Sequence, residues 1–151
     1  MTVKIASQGD KEAIVDALEL KNAEDGYGEF GFDRDLASAV VQIGLNREKA
    51  FIGVIKGKNG LEATIGLYAE VPWWSTKYFL QDRWMFVCPA YRKSPHGKDL
   101  IEFAKRQASG LSLPLQMTIA ITEQTANKAG LYERQFKRVR GAIYIYRAAD
   151  V

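Results

Sequence analysis

The stretch Trp84-Met85-Phe86-Val87-Cys88-Pro89-Ala90-Tyr91-Arg92-Lys93-Ser94-Pro95-His96-Gly97-Lys98 sets three basic side chains, a serine and a glycine in a short loop. An apolar run precedes the loop, and Leu100, Ile101, Ala104 and Ala108 after it fall on one face of a helix. The first-turn amides of a helix have no intrahelical acceptor, and the aligned peptide dipoles put about half a positive charge there. Such a turn can hold phosphate. Ser94 suits the N-cap, and Pro95 then takes the first helical position, where its missing N–H is a donor the helix does not use. His96, Gly97 and Lys98 keep free amides, Arg92, Lys93 and Lys98 surround them with cations, and Gly97 allows close approach to the backbone. The loop reads as a site for a diphosphate-bearing ligand, with a surface turn at a basic helix start as the plainer alternative.

Other reactive side chains are scarce. His96 is the single histidine and Cys88 the single cysteine, so a Ser/His/Asp triad has one possible centre without supporting spacing. An imidazole or thiolate metal cluster has no material, so no metal is expected. His96 reads as a solvent-facing loop residue rather than a base, and Cys88 as a small buried hydrophobe. One cysteine also excludes an intrachain disulfide.

The chain that must position this loop has 151 residues, 47% hydrophobic and 26% charged, which fits one globular domain over 1–151 with a sizeable core. The formal net charge of +3 suits an anionic ligand and is too small to argue for nucleic acid. No run approaches the roughly 18 apolar residues of a membrane span, and no signal segment opens the chain, so a cytoplasmic protein is expected.

In order, Thr2 to Ile5 predicts a short strand and Asp10 caps a helix to about Leu20 with Ile14, Ala17 and Leu18 inward. Residues 22–32 alternate glycine with aromatics and read as a loop, either mobile over a ligand or pinned by Phe30 and Phe32. Asp33 or Asp35 starts a second helix to Leu45, with Leu36, Val40 and Ile43 inside. Ala50 to Ile55 is a buried strand, and Asn59-Gly60 supplies the positive φ of a hairpin turn. The following strand sets Leu61, Ala63, Ile65 and Leu67 against Glu62, Thr64, Gly66, Tyr68 and Glu70, leaving its second face for polar work. Trp73-Trp74 forms an acceptor wall, an edge contact or a partner surface.

Phe79 to Val87 is the strand entering the basic loop, and Leu115 to Thr122 alternates as another. Thr125 caps a short helix to Gln135, and Ala142 to Tyr146 predicts a last strand, whose aromatic edge can pair with a second copy as a homodimer. Three successive strands before the crossover helix imply an α/β (α+β mixed) fold, a mostly antiparallel mixed sheet with helices on both faces.

Val87-x-Pro89-x-Tyr91-Arg92, a glycine-containing loop and an apolar helix resemble the acetyl-CoA-binding motif of the GCN5-related N-acetyltransferases. Arg92 fills the first motif position, Gly97 the last, and Pro95 stands where a glycine is expected. That proline deletes one amide donor, worth roughly 1.5–3 kcal/mol to a charged acceptor, or about ten- to a hundredfold in affinity. Asn127-Lys128-Ala129-Gly130-Leu131-Tyr132-Glu133-Arg134-Gln135-Phe136 is similar to the family's closing motif, with a shortened Asn-to-Tyr spacing and no glycine before Phe136.

The resemblance implies acetyl transfer from acetyl-CoA, the co-substrate, directly to an amine on a small molecule or protein. It assigns coenzyme contacts to Phe86 and Val87 through their backbone, to Arg92, Lys93, Ser94, His96, Gly97 and Lys98 in the loop, and to Asn127. Tyr132 matches the family's general acid, its phenol of pKa about 10 donating to the leaving thiolate. By helical spacing Tyr132 is equally a core residue beside Ala129 and Phe136. Glu70 and Asp82 are the candidate bases, and each has an alternative reading as a solvated or salt-bridged carboxylate. A non-catalytic acyl-CoA-binding or protein-interaction module on the same fold is the alternative function.

Overall fold

The computed structural model describes residues 2–26, 28–119 and 126–137. Its sheet runs β1 (Lys4–Ile5), β2 (Ala50–Gly57), β3 (Gly60–Glu70), β4 (Phe79–Val87) and β5 (Leu115–Gln116), in spatial order as in chain order. The first four strands are antiparallel, and β5 lies parallel to β4. Helices α1 (Lys11–Glu24) and α2 (Arg34–Leu45) precede the central strands, α3 (His96–Leu111) crosses from β4 to β5, and α4 (Ala126–Gln135) follows. The expected last strand at 142–146 and the end of the expected strand through Thr122 lie outside the described residues.

Both sheet faces are covered, as the mixed-sheet expectation requires. Ile14, Val15 and Val41 of α1 and α2 pack with Ile52, Val54, Tyr68 and Trp84. On the other face Leu100, Ile101, Phe103 and Ala104 of α3 and Tyr132 of α4 pack with Ile65, Leu67, Leu80 and Met85. Among the described residues no helix is long and apolar enough to cross a membrane.

Several local expectations are corrected. The second face of β3 is buried rather than open. Glu62, Thr64 and Tyr68 are all buried, Trp84 Nε1 donates to Thr64 Oγ1 at 3.2 Å, and Tyr68 O–H donates to the Val40 carbonyl at 2.8 Å. Gly66 is the reason the indole fits, since a Cβ there would lie 2.5 Å from the Trp84 ring. The inner face of α2 is Val41 and Gly44 with Val40 packed against the same core as expected, while Leu36 is 68% exposed and Ile43 also exposed. A side chain at Gly44 would meet Ile52 at 2.5 Å, so the glycine sets the helix against β2. The β2–β3 turn has its positive φ at Gly60 alone, at +104°, behind Lys58-Asn59. Neither tryptophan of the Trp73-Trp74 loop packs on an edge: they are 92% and 72% exposed and touch each other. Phe30 is exposed, while Phe32 packs against the core from its loop.

Two features aim residues at one end of the sheet. Helix α1 continues past Leu20 to Glu24, absorbing residues assigned to the loop and carrying Lys21 and Glu24 forward. In β4 the register passes from Met85 opposite Ile65 and Trp84 opposite Gly66 to Asp82 opposite Leu67, which leaves Arg83 as an extra residue. This bulge changes the parity of the strand. Leu80 and Asp82 before it and Met85 and Val87 after it therefore share the α3/α4 face.

Because Gly66 leaves no room beside the indole, Gly66→Ala should cost about 1–3 kcal/mol through overpacking. Urea unfolding measures this, and an unchanged midpoint would show that Trp84 is not held as described.

Candidate active site

Among the described residues the β4–β5 ladder has two rungs, Leu80 opposite Leu115 and Gln81 opposite Gln116. At the next position a side chain replaces the backbone. Asp82 Oδ1 accepts the Thr118 N–H at 2.9 Å and lies 3.5 Å from the Thr118 hydroxyl. The carboxylate, 4% exposed, stands between the two strands and ends their pairing. Burial drives its pKa up, with the Thr118 amide and the charges of Lys128 and Lys21 opposing.

Beyond Asp82 the edge of β4 faces basic side chains. Lys128 Nζ donates to the Met85 carbonyl at 2.8 Å, and Arg92 Nε donates to the Val87 carbonyl at 3.0 Å. Residues in an antiparallel ladder alternate between bonding their partner strand and facing away. Met85 and Val87 face away, so Phe86 turns its backbone to Thr64 of β3. The edge contact expected of Phe86 and Val87 thus falls to Met85 and Val87. Phe86 contributes its ring, 5.4 Å from the Arg92 guanidinium.

The loop after β4 differs by one residue from its reading. Pro95, not Ser94, is the N-cap of α3: its carbonyl accepts the Asp99 N–H at 3.0 Å. The Ser94 hydroxyl donates to the Tyr91 carbonyl and accepts the His96 N–H at 3.3 Å. With the His96 amide engaged, Gly97 and Lys98 keep first-turn amides without an acceptor among the described residues. Arg92 Nη2 reaches both Glu24 oxygens, at 2.8 and 2.6 Å, so α1 fixes the guanidinium. Lys93 and Lys98 are exposed. Gly97 meets protein rather than open space, since a Cβ there would lie 2.7 Å from Leu131 Cδ2 of α4.

His96 is not solvent-facing. It is 4% exposed, its Nε2 lies 2.7 Å from Glu62 Oε2, Tyr91 stacks on it at 6.0 Å, and its Nδ1 has no partner among the described residues. Its side chain ties the loop to β3 rather than pointing to a ligand. Cys88 is half-buried, its thiol donates toward the Leu61 carbonyl at 3.5 Å, and burial raises its pKa.

Helix α4 packs against α3 and reaches the β4 edge through Lys128. Lys105 Nζ donates to the Gln135 carbonyl at 2.7 Å and lies 5.0 Å from the Phe136 ring, fixing the helix end against α3. Tyr132 is buried, with its ring 5.7 Å from Phe136 and its hydroxyl 3.8 Å from Met85 Sδ. Desolvation raises its pKa, and the negative charges of Asp82 and Asp25 raise it further, so the phenol stays protonated at neutral pH. Asn127, on the first turn, is exposed.

Lys128 was not singled out by the sequence reading. It precedes Tyr132 by four residues, a spacing that puts both on one helix face, and this was the available signal. Its ammonium is 5.7 Å from the Tyr132 ring. Desolvation lowers its pKa to about 8, the charge of Lys21 acts in the same direction, and Asp82 and Asp25 pull it back. Lys21 and Asp25, themselves an ion pair at the end of α1, also line a cavity of about 320 Å³ with Leu18, Phe32, Arg83 and Trp84.

Asp82, Lys128 and Tyr132 are therefore brought together with Met85, while Glu70 is not among them. Glu70 pairs with Arg83 at 2.9 Å, opposite Phe79 at the far end of β3. No cluster of three or more metal-ligating side chains occurs among the described residues.

No protein-family model matches the sequence, and no curated protein matches it. Solved structures do. A predicted acetyltransferase of Clostridium acetobutylicum, solved with acetyl-CoA, superposes with a TM-score of 0.78 at 11% identity, over 99% of this chain and 97% of that one. A GCN5-related N-acetyltransferase of Ralstonia eutropha gives 0.75 at 15% identity over 97% of both chains. An aminoglycoside antibiotic 6'-N-acetyltransferase of Acinetobacter haemolyticus gives 0.69 at 18% identity, over 97% of this chain and 98% of that one. The chain has the fold of the GCN5-related N-acetyltransferases from one end of the sheet to the other.

A lysine held this way should titrate near pH 8, against about 10.4 for a free side chain. Removing the nearby negative charge with Asp82→Asn should lower that midpoint further. In the folded protein Lys128 releases its proton before it would in the unfolded chain, so stability should rise as pH passes from about 8 toward 10. NMR of the lysine side chain reads the midpoint directly, and an ordinary value would remove the desolvated site.

Proposed function

We propose that the chain is a cytoplasmic N-acetyltransferase that moves the acetyl group of acetyl-CoA directly to an amine. The observation that carries this is the wedge at Asp82 and Thr118, where the strands stop pairing and a protonated tyrosine sits beside the edge of β4. The residues fit the coenzyme. Gly97 and Lys98 offer amides at a helix N-terminus, Arg92 and Lys93 offer cations, and the Met85–Val87 edge offers backbone to a pantetheine amide. Likeness of fold to a structure solved with acetyl-CoA supports the same reading.

In this reading the loop from Arg92 to Lys98 holds the diphosphate, and Ser94 and His96 set the loop's shape rather than touch the ligand. Asn127, exposed at the start of α4, contacts the coenzyme from the other wall. The Met85 and Val87 edge aligns the pantetheine arm after Lys128 and Arg92 yield their carbonyl contacts. Tyr132 gives its proton to the departing thiolate; burial keeps that proton in place until then. Asp82 takes a proton from the attacking amine, and its raised pKa makes it a closer match to an ammonium than an ordinary carboxylate. Glu70, held by Arg83 away from Tyr132, takes no part.

The acceptor enters through the cavity of Lys21, Asp25, Arg83 and Trp84. Its walls carry both charge signs, which favours an amine that also bears a polar or anionic group over a bare polycation. The runner-up, an acyl-CoA-binding module without turnover, draws support from Pro95 in the loop.

Acetyl-CoA should raise the melting temperature, since a ligand at a hundred times its Kd adds about 2.7 kcal/mol of stability. Arg92→Ala should weaken that binding by about tenfold or more, as loss of a charged hydrogen bond does. With an amine panel, wild-type protein should release thiol and Tyr132→Phe should be slower by roughly 10²–10⁴ while still binding coenzyme. Binding without any thiol release would favour the module, and no thermal shift would end both readings.

A further inference from the structure

We infer that Lys128 is itself an acetyl acceptor: its Nζ takes the acetyl group from bound acetyl-CoA when no external amine fills the site. The inference rests on the coenzyme reading above and adds a modification site to it.

The placement of Nζ carries it. Lys128 holds the Met85 carbonyl at 2.8 Å, on the β4 edge that the pantetheine arm is proposed to follow, with the Tyr132 ring at 5.7 Å. Arg92 of the diphosphate loop and Lys21 and Asp25 of the cavity wall all act on its charge, so it is within electrostatic reach of both. A thioester delivered along that edge arrives where this amine already stands.

The state of the amine also suits attack. Its one hydrogen bond among the described residues goes to a neutral carbonyl, and no carboxylate there lies within ion-pair distance of it. A desolvated ammonium without a paired carboxylate gives up its proton easily. With a midpoint of about 8, an appreciable fraction is neutral near pH 7.5. Attack within one molecule needs no second encounter, and well-placed intramolecular groups gain effective molarities of about 10⁵ M and above.

The step balances. The Nζ lone pair forms a C–N bond to the thioester carbonyl, and the C–S bond breaks. One proton leaves Nζ for Asp82 by way of an intervening water, and one reaches the sulfur from Tyr132, which recovers its own from Asp82 along the same path. The products are an N-acetyl-lysine and the coenzyme thiol, with no other reagent. The amide formed keeps one N–H, enough to satisfy the Met85 carbonyl. Because acetylation removes the cation beside Asp82, the modified chain is a different catalyst from the free one.

The full chain is incubated with acetyl-CoA and no amine, and its intact mass and modified peptide are followed, with a thermal-shift titration on the same preparation. We expect a gain of one acetyl group at Lys128, with a rate per molecule independent of protein concentration. In Tyr132→Phe the gain should be slower by on the order of a hundredfold, and in Lys128→Arg it should be absent from the α4 peptide although coenzyme still shifts the melting temperature. Coenzyme binding with Lys128 unmodified, or with acetyl groups only on lysines that also react in heat-unfolded protein, overturns the inference and leaves the coenzyme reading standing. No thermal shift in wild type removes that reading, and this inference with it.

Discussion

A buried carboxylate standing where a sheet would place a backbone rung is the constraint on which the site depends. Asp82 takes the amide of Thr118, and after two rungs β4 and β5 cease to pair. Burying a carboxylate is costly unless its oxygens are satisfied. Here one oxygen holds a backbone amide, and Lys128 and Lys21 supply positive charge nearby. Among the described residues, the β4 edge past this point is met by the Lys128 and Arg92 side chains. The bulge at Arg83 matters for the same reason, since it puts Asp82, Met85 and Val87 on the face that α4 covers.

Around that opening, charge arrives from three separate elements. The extended end of α1 brings Lys21, Asp25 and Glu24, the loop after β4 brings Arg92, and α4 brings Lys128 and Tyr132. Arg92 is held by Glu24 before any ligand binds, which limits what its ordering costs on binding. Below the loop, the buried His96–Glu62 contact joins α3 to β3. One buried polar network thus shapes the cradle and another the reaction centre, and the two meet at the β4 edge.

Much of this was legible in the sequence because it follows from local periodicity. The order of helices and strands, the loop opening α3 and the face shared by Ala129, Tyr132 and Phe136 all repeat at short spacing. The errors have a common physical origin in contacts between distant segments. Alternation in β3 could not show that α1, α2 and Trp84 cover its polar side, because the glycine that admits the indole lies 18 residues away from it in the chain. A lone histidine in a basic loop looked solvated, since its partner Glu62 comes from another strand. The N-cap lies one residue later than expected, at Pro95 instead of Ser94, and the serine hydroxyl bonds back to Tyr91 as well as forward to His96. Lys128 carried a readable i, i+4 relation to Tyr132, but its contact with the Met85 carbonyl of β4 and the α1 charges that act on it come from distant segments, which no local pattern records.

The central claim is that the wedge beyond Asp82 and the turn opening α3 form one continuous coenzyme site. A backbone-amide NMR titration of the full chain with desulfo-CoA and with CoA tests it residue by residue. The account predicts saturable shifts at Gly97 and Lys98 together with Met85 and Val87, and none along α2. Shifts confined to exposed lysines, lost on adding salt, or an unperturbed β4 edge with a saturated loop, would contradict it.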